Sequence, residues 1–343
     1  MSPRLIFVTG ATGFLCGEVV RRLVARGDEV HALARRTADT STLAGLDVTW
    51  HPGDLTDRAS IERAAWKMAE RSFALRRPWD LIHGGALISY KTADVEVSRA
   101  INVDGTRHVL EAARGSGVSR IVHVSSVVAV GACRGAHDVL DETSEFNLAD
   151  CGVAYVTTKR AAEELALSMA RELDVVVVNP GAIFGPVERK SNTARFIRRV
   201  AQGKGPVAAP PGTISVLGIE DAADGTIRAL DRGVRGERYL LVESWIRTYD
   251  LFTLVARLVG RRGPKVVVPR FTWPVLLVAA RILDRLRPMD LAPPQGLVLL
   301  ARDLRFDASK ARRELGWAPR PFEHVLASTV ESLRARGLLD EPT

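Results

Sequence analysis

The first half of the chain alternates short apolar runs with longer segments in which apolar residues recur at helical spacing. The runs predict buried parallel strands, and the segments between them predict the helices that connect such strands. The predicted strands are residues 5–8, 28–34, 48–51, 79–83, 120–124 and 174–179. Strands alternating with helices indicate an α/β fold, here a Rossmann doubly wound parallel sheet with its ligand at the carboxyl ends of the strands.

The pattern becomes mainly helical in the second half. Further strands are predicted at 214–219 and 238–242, and helices at 249–259, 273–286 and 323–336, with a short helix at 307–316 that Gly316 ends. We therefore predict two units. Residues 1–180 and 214–242 form a dinucleotide-binding domain, and residues 181–213 and 243–343 form a small, mainly helical substrate lobe.

The first predicted strand leads into a glycine turn and then into a helical segment. Glycine permits the tight turn and the close approach of backbone to a pyrophosphate, whose charge the helix N-terminus then faces. A third glycine is usual at the position of Cys16. The alternative is a tight strand–helix turn in another kind of α/β protein. The predicted pyrophosphate-binding residues are Gly10, Thr12, Gly13, Phe14 and Leu15.

The end of the second strand bears on the choice of cofactor. An NAD-specific domain places an acidic residue there, whereas this chain continues with Arg35 and Arg36. Two guanidinium groups suit a 2′-phosphate, so NADP(H) is the predicted cofactor, with NAD(H) and a pair of solvent-exposed arginines as the alternatives. Asp54 and Leu55, after the third strand, are predicted to contact the adenine, unless the acidic residues of this loop only cap the next helix.

Other residues at predicted strand ends complete the cofactor site. Asn102 is expected to face the sheet and bond a neighbouring strand end, and Gly105 inside the same helix indicates close packing. His83 is interpreted as a packed core histidine. The remaining predicted cofactor contacts are Gly84, Gly85, Ala86, Ser125, Pro180, Gly181 and Ile183.

A tyrosine and a lysine one helical turn apart supply candidate chemistry. Tyr155 and Lys159 lie on one helix face at i and i+4, and Ser126 follows the fifth strand. An ammonium group one turn away favours the phenolate and is expected to bring the tyrosine pKa toward neutrality. Ser126, Tyr155 and Lys159 are therefore the predicted catalytic residues, with Tyr155 and Lys159 also contacting the cofactor.

Composition excludes several other classes of function. The net charge is +8, but no basic run with interleaved aromatic residues indicates nucleic-acid binding. The three cysteines lack metal-ligand spacing and are predicted to be free thiols of a cytoplasmic protein, since no basic region precedes the first apolar run as in a signal peptide.

The apolar run at 271–283 is too short, and too interrupted by Pro274 and Arg281, to span a bilayer. It is expected either to pack on the Rossmann domain or a second subunit, or to wall a pocket for a bulky apolar ketone or alcohol derived from a membrane. A homodimer and peripheral contact with a membrane both stay open.

Taken together, the motifs resemble the extended short-chain dehydrogenase/reductase superfamily, the NAD-dependent epimerase/dehydratase-like group, over nearly the whole chain. Within that group the chain looks most similar to dihydroflavonol 4-reductase-like and 3β-hydroxysteroid dehydrogenase-like members. The matching motifs are Thr9-Gly-Ala-Thr-Gly13, Gly53-Asp-Leu55, Asn102-Val-Asp-Gly-Thr106, Ser125-Ser126, Tyr155-x-x-x-Lys159, Asn179-Pro-Gly-Ala-Ile-Phe-Gly-Pro186 and Lys310-Ala-Arg-Arg-Glu-Leu-Gly-Trp-Ala-Pro319. The resemblance implies a catalytic set of Ser126, Tyr155 and Lys159, with Lys159 bonding the nicotinamide ribose. The chain departs from the family pattern at Cys16, in place of the third glycine, at His83-Gly-Gly-Ala86, where His-x-Ala-Ala is more usual, and in the segment from Ala64 to Pro78, which is longer than this helix usually is.

These observations predict an NADP(H)-dependent ketoreductase or alcohol dehydrogenase acting on a small molecule. A nucleotide-sugar epimerase or dehydratase with bound NAD is the first alternative, with Arg195, Arg198 and Arg199 available for a diphosphate. A dinucleotide-binding module without catalytic activity is the second.

Overall fold

The structure is a computed structural model that describes residues 3–186, 192–286 and 294–339. Its strands are β1 (Leu5–Thr9), β2 (Glu29–Ala34), β3 (Val48–Pro52), β4 (Trp79–His83), β5 (Val118–Val124), β6 (Val175–Pro180), β7 (Ala182–Phe184), β8 (Ala208–Ala209), β9 (Thr213–Gly218), β10 (Arg238–Leu241), β11 (Ser244–Arg247) and β12 (Val266–Val267). Its helices are α1 (Phe14–Ala25), α2 (Arg58–Leu75), α3 (Val95–Arg99), α4 (Gly105–Gly115), α5 (Ala154–Ser168), α6 (Asn192–Ala201), α7 (Ile219–Arg232), α8 (Thr248–Leu258), α9 (Trp273–Leu286), α10 (Pro294–Leu300), α11 (Ser309–Leu315) and α12 (Phe322–Ala335).

Seven parallel strands form the main sheet, in the order β3-β2-β1-β4-β5-β6-β10. The chain moves outward from β1 through β2 to β3, then crosses to β4 on the other side of β1. This reversal opens a crevice at the carboxyl ends of β1 and β4, which is where doubly wound sheets bind their ligands. The predicted α/β fold is confirmed.

Helices cover both faces of this sheet, which explains the continuous apolar runs of its strands. α1 and α7 pack together on one face, and α2, α4 and α5 pack on the other. Alternate residues of one strand therefore enter different cores: Ile6 and Val8 pack beneath α1 and α7, whereas Leu5 and Phe7 pack beneath α2 and α4. The carboxyl edge between the two helical layers is left for the site.

A second, smaller sheet contains one of the strands that the sequence placed in the Rossmann domain. The strand predicted at 214–219 was assigned to the Rossmann domain, but β9 pairs in parallel with β7 and antiparallel with β11 instead of joining the seven-stranded sheet. Val216 of β9 packs in the lobe core with α12, whereas Leu217 packs in the core of the main sheet, so β9 lies between the two proposed units. Strand β10 and helix α7 lie with the main sheet, as predicted for the rest of 214–242.

The apolar run at 271–283 is only partly packed against the rest of the chain, and its packing on a second subunit stays a prediction. Of its side chains, Phe271, Val275, Leu276, Val278, Ile282 and Leu283 are exposed. Only a narrow strip of α9 turns inward, through Trp273, Leu277 and Ala280. Most of the segment therefore neither packs on the domain nor lines an enclosed pocket. Among the described residues, no helix is long and apolar enough to cross a bilayer.

Candidate active site

The turn after β1 is a backbone cradle that only glycine can form. Gly10 has a φ of +76°, and a Cβ there would lie 2.7 Å from the Gly85 nitrogen and 2.8 Å from the Gly84 carbonyl carbon. The Gly13 N–H donates to the Gly10 carbonyl at 2.8 Å, and α1 begins at the next residue. Thr12 and Gly13 are exposed. The first N–H groups of α1 thus open onto the crevice, beside Phe14 and Leu15, as an anion site requires.

Cys16, which departs from the family pattern, and Gly84 share one space. A Cβ at position 84 would lie 2.2 Å from the Cys16 Sγ, so the thiol fills the volume that a side chain there would need. Cys16 is buried, and burial raises the pKa of its thiol to about 12, although the Lys159 ammonium opposes this. Cys16 can therefore stand at the position of the third glycine, because Gly84 leaves room for its thiol between α1 and the sheet.

Arg35 and Arg36 follow β2 and are both exposed at the rim of the crevice. Burial acts to raise the pKa of the Asp54 carboxyl, but hydrogen bonds from Thr56 and the nearby Arg35 guanidinium together lower it more. The pKa of Asp54 therefore lies below its usual value. Asp57 caps α2 by accepting from the Ser60 N–H at 3.3 Å, the capping role left open for the acidic residues of this loop. The guanidinium groups remain accessible to a phosphate near the β2 end.

The loop after β3 is held against the helix that carries Asn102. A Cβ on Gly105 would lie 2.9 Å from the Leu55 Cβ, which explains a glycine inside a helix. Asn102 lies in a π-helical turn between α3 and α4 and bonds the backbone of Leu87, accepting at 2.7 Å and donating at 3.1 Å. Asn102 therefore fixes the segment after Gly84, Gly85 and Ala86, as expected from its predicted orientation.

A chain of hydrogen bonds confirms His83 as a core residue. Its Nδ1 lies 2.7 Å from the Thr9 hydroxyl and its Nε2 lies 3.0 Å from the Thr106 hydroxyl. Since Thr106 donates to the Asn102 carbonyl, Nε2 carries the proton and Nδ1 accepts from Thr9. Burial lowers the His83 pKa to about 3, so the ring stays neutral.

Ser126, Tyr155 and Lys159 meet at the carboxyl end of β5. All three are buried, and a hydrogen bond joins the side chains of Ser126 and Tyr155. The Lys159 ammonium donates to the Val124 carbonyl at 2.6 Å. The structure thus brings the three predicted catalytic residues together, on β5 and on one face of α5.

The acidities differ from the expectation for this pair. Burial raises the pKa of Tyr155 above its usual value, and the hydrogen bond with Ser126 offsets only part of this effect. Burial lowers the pKa of Lys159 to about 8, although Glu163 and Cys16 favour the charged form. The Tyr155 pKa is therefore set by burial and by Ser126, and Lys159 is not among the groups that shift it.

Residues that the sequence did not single out surround this centre. Glu163, one turn beyond Lys159, is buried and accepts from Asn179 at 2.5 Å and from Arg238 at 2.9 Å. Glu163 lies four residues after Lys159, and this spacing could have placed it on the same helix face. Its partners Asn179 and Arg238 lie on β6 and β10, and nothing in the sequence indicated them. Tyr90 packs edge-on against Tyr155, with ring centroids 5.8 Å apart, and its only signal was an aromatic residue after β4.

The other predicted cofactor residues lie at the same edge. The Ser125 hydroxyl is buried and has no hydrogen-bond partner among the described residues. Gly181 follows Pro180, and a Cβ there would lie 2.7 Å from the Ser215 carbonyl oxygen. Ile183 is half-buried in β7, where the chain leaves the main sheet for the lobe.

A nicotinamide dinucleotide fits this arrangement. The glycine cradle and the start of α1 suit a pyrophosphate, the exposed arginines suit an adenosine ribose carrying a phosphate, and the unpartnered Ser125 hydroxyl lies at the strand end beside Ser126. No group of three metal-ligating side chains is found within residues 3–186, 192–286 and 294–339.

Comparison with known proteins agrees with this geometry. The sequence model of the NAD dependent epimerase/dehydratase family matches residues 6–242. The chain is 35% identical to sterol demethylase protein B of Methylococcus capsulatus, covering 97% of this chain and 99% of that protein. It is 30% identical to a putative dihydroflavonol 4-reductase of Synechocystis sp., covering 96% and 95%.

Two further matches extend over most of the chain. A 4-hydroxy-2-methyl-3-oxo-4-farnesyl-3,4-dihydroquinoline-1-oxide ketoreductase of Stigmatella aurantiaca is 30% identical, covering 92% of each chain. The crystal structure of gox2253 superimposes with a TM-score of 0.83 at 30% identity, covering 98% of this chain and 99% of that one. The chain belongs to the NAD-dependent epimerase/dehydratase family of extended short-chain dehydrogenases/reductases, and is an NAD(P)-dependent enzyme of the oxidoreductase type.

Proposed function

We propose that the protein is an NADP(H)-dependent ketoreductase that transfers hydride to a bulky, mostly apolar ketone. The observation that carries this proposal is the buried pair of Ser126 and Tyr155, joined by a hydrogen bond beside Lys159. Two hydroxyl groups at one strand end suit a carbonyl oxygen that becomes an alkoxide. The pair Arg35 and Arg36, exposed at the end of β2, supports NADPH over NADH.

The acidities favour reduction over oxidation. The raised pKa of Tyr155 keeps the phenol protonated at neutral pH, so its hydroxyl is ready to give a proton to the substrate oxygen. Ser126 donates a hydrogen bond to the same oxygen and polarises the carbonyl. When bound, NADPH supplies the hydride. Lys159 stays charged below about pH 8 and stabilises the phenolate that proton donation leaves behind.

The apolar substrate class rests on two supports. Tyr90 and Tyr155 present aromatic surface beside the reacting hydroxyl, and pockets for small molecules are mostly apolar with a few placed polar groups. The names of two relatives include a sterol and a farnesyl group, which are large and apolar. The three free cysteines suit the cytoplasm, where we place the protein.

Substrate and cofactor screening tests the proposal against its alternatives. Purified protein is first examined for a retained nicotinamide cofactor, and NADPH oxidation is then followed with aromatic ketones, steroid ketones and sugar nucleotides. Oxidation with the apolar ketones alone is expected. Turnover confined to sugar nucleotides, with NAD retained on the protein, would establish the epimerase or dehydratase alternative. Cofactor binding without turnover of any of these substrates would favour a binding module.

A further inference from the structure

Exposed apolar side chains are concentrated in one short stretch of the lobe. Of the 18 large hydrophobic residues exposed among the described residues, eight lie between residues 266 and 283. They are Val266, Val267, Phe271, Val275, Leu276, Val278, Ile282 and Leu283. Single exposed hydrophobic residues need no explanation, but a contiguous group marks an interaction surface. We call residues 266–283 the apolar segment.

The apolar segment is only lightly attached to the rest of the fold. Helix α9 rests mainly on α10, through the inward strip that includes Leu277 and Ala280. α10 in turn reaches the catalytic helix, because Gln295 accepts from the Ala154 N–H at 3.3 Å. The exposed surface is therefore one helix away from the start of α5, which carries Tyr155.

Charge around this segment is strongly positive. Residues 257–286 contain seven arginine or lysine residues and one acidic residue, a net charge of +6 out of +8 for the whole chain. The cationic side chains of Arg257, Arg262, Lys265 and Arg281 are exposed, as is that of Arg270, which pairs with Asp303 at 2.6 Å. An apolar surface bordered by cations is typical of helices that lie in the interface of an anionic bilayer.

We propose that the apolar segment docks on the surface of a membrane containing anionic lipids. A symmetric dimer through the same surface would bring two copies of residues 257–286 together, each with a net charge of +6, since such an interface pairs each patch with its own copy. Anionic lipid head groups complement that charge, and Phe271 and Val275 enter the acyl boundary. With 14 residues, α9 is about 21 Å long and lies in the plane of the membrane.

This docking places the mouth of the site beside the bilayer. An apolar ketone dissolved in lipid then reaches Ser126 and Tyr155 without crossing water. That consequence rests on the proposed function, whereas membrane binding itself does not, so the two are tested separately.

Two exposed phenylalanines provide a matched test. Phe271 is 83% exposed in the apolar segment, and Phe73 is 87% exposed on α2. Sedimentation with vesicles of phosphatidylcholine, with and without phosphatidylglycerol, is measured for the wild type, Phe271→Asp and Phe73→Asp. We expect binding that requires phosphatidylglycerol and weakens as salt is raised. Phe271→Asp should weaken it about tenfold or more, and Phe73→Asp should leave it unchanged.

Analytical ultracentrifugation of the same three proteins decides between a membrane and a second copy. Wild-type protein that ignores both vesicle types, and a dimer that Phe271→Asp alone dissociates, would overturn the proposal. Equal loss of vesicle binding in both variants would also overturn it, because net charge and not the segment would then be responsible. Vesicle binding by a protein inactive on every ketone would leave docking established and remove the proposed function.

Discussion

The turn after β1 and the apolar segment of the lobe differ in how strictly their surroundings determine each residue. At the turn, an added Cβ at Gly10 or Gly84 would come within 2.9 Å of backbone or a thiol. In the apolar segment, Phe271 and Val275 are 83% and 71% exposed and touch little. The first region leaves room for glycine alone, as a backbone cradle for a pyrophosphate requires. The second is free to vary, and this freedom suits a region that selects which surface and which substrate the enzyme meets.

The largest expected effect concerns the proton donor, Tyr155, at the carboxyl edge of the main sheet. Tyr155→Phe removes only the phenolic hydroxyl, so ketone reduction should fall about 10²- to 10⁴-fold while NADPH still binds. Turnover is measured by NADPH oxidation and cofactor affinity by fluorescence titration. Near wild-type turnover in this variant would mean that another group supplies the proton.

Cofactor choice is expected to depend on the exposed arginine nearest the end of β2. Arg35→Ala should weaken NADPH binding by roughly 1.5–3 kcal/mol and leave NADH binding nearly unchanged, because only NADPH carries the 2′-phosphate. Calorimetric titration of both cofactors measures the difference. A wild-type preference for NADH, or equal weakening of both cofactors, would contradict the assignment.

Close packing at the turn predicts a stability effect that a second substitution reverses. Gly84→Ala places a Cβ into the Cys16 Sγ and should lower the free energy of unfolding by about 1–3 kcal/mol. Adding Cys16→Ala should restore most of the loss. Gly115→Ala, where an added Cβ meets nothing within 4 Å, is the matched control and should be neutral or stabilising. Thermal unfolding measures these three variants and Cys16→Ala alone, and additive losses in the double variant would exclude a direct contact.

The smallest expected effect is a shift of pH dependence. The Lys159 pKa is about 8 in the folded protein, so reduction should decline as pH rises through this value and the ammonium is lost. Glu163→Gln removes a carboxylate that favours the charged form, so the decline should move to lower pH. Glu164→Gln, at an exposed neighbour paired with Arg160, should not move it. Unshifted profiles in both variants would remove Glu163 from the control of Lys159, and thermal unfolding checks that each variant is folded.

Features encoded by local pattern were predicted well from the sequence. Apolar runs located the strands of the main sheet, because a strand buried on both faces must be apolar throughout. The pairing of β9 with β7 and β11 was not predicted, since its own residues do not identify the strands it pairs with. The acidity of Tyr155 was also wrong in direction, because burial is a property of the folded surroundings and not of the Tyr-x-x-x-Lys spacing.

The partners of Glu163 could not be predicted for the same reason. Asn179 and Arg238 follow it in the chain by 16 and 75 residues, and only the sheet order β5-β6-β10 brings them to one place. The positions of Gly10, Asn102 and Tyr155 were predicted because each has a local motif around it. Their assignment to cofactor binding or catalysis stays a prediction that the variants above test.

The shared space of Cys16 and Gly84 also constrains the history of this sequence. If an ancestor carried glycine at position 16 and a residue with any side chain at position 84, alanine being the smallest, the two changes could not have occurred in either order with equal ease. A thiol at 16 facing an alanine at 84 would overlap its methyl group, whereas glycine at both positions leaves only a small void. The favoured order is therefore a change to glycine at position 84 first and a change to cysteine at position 16 second. Reconstructed intermediates of the two orders should differ in stability, with the thiol-first intermediate the less stable.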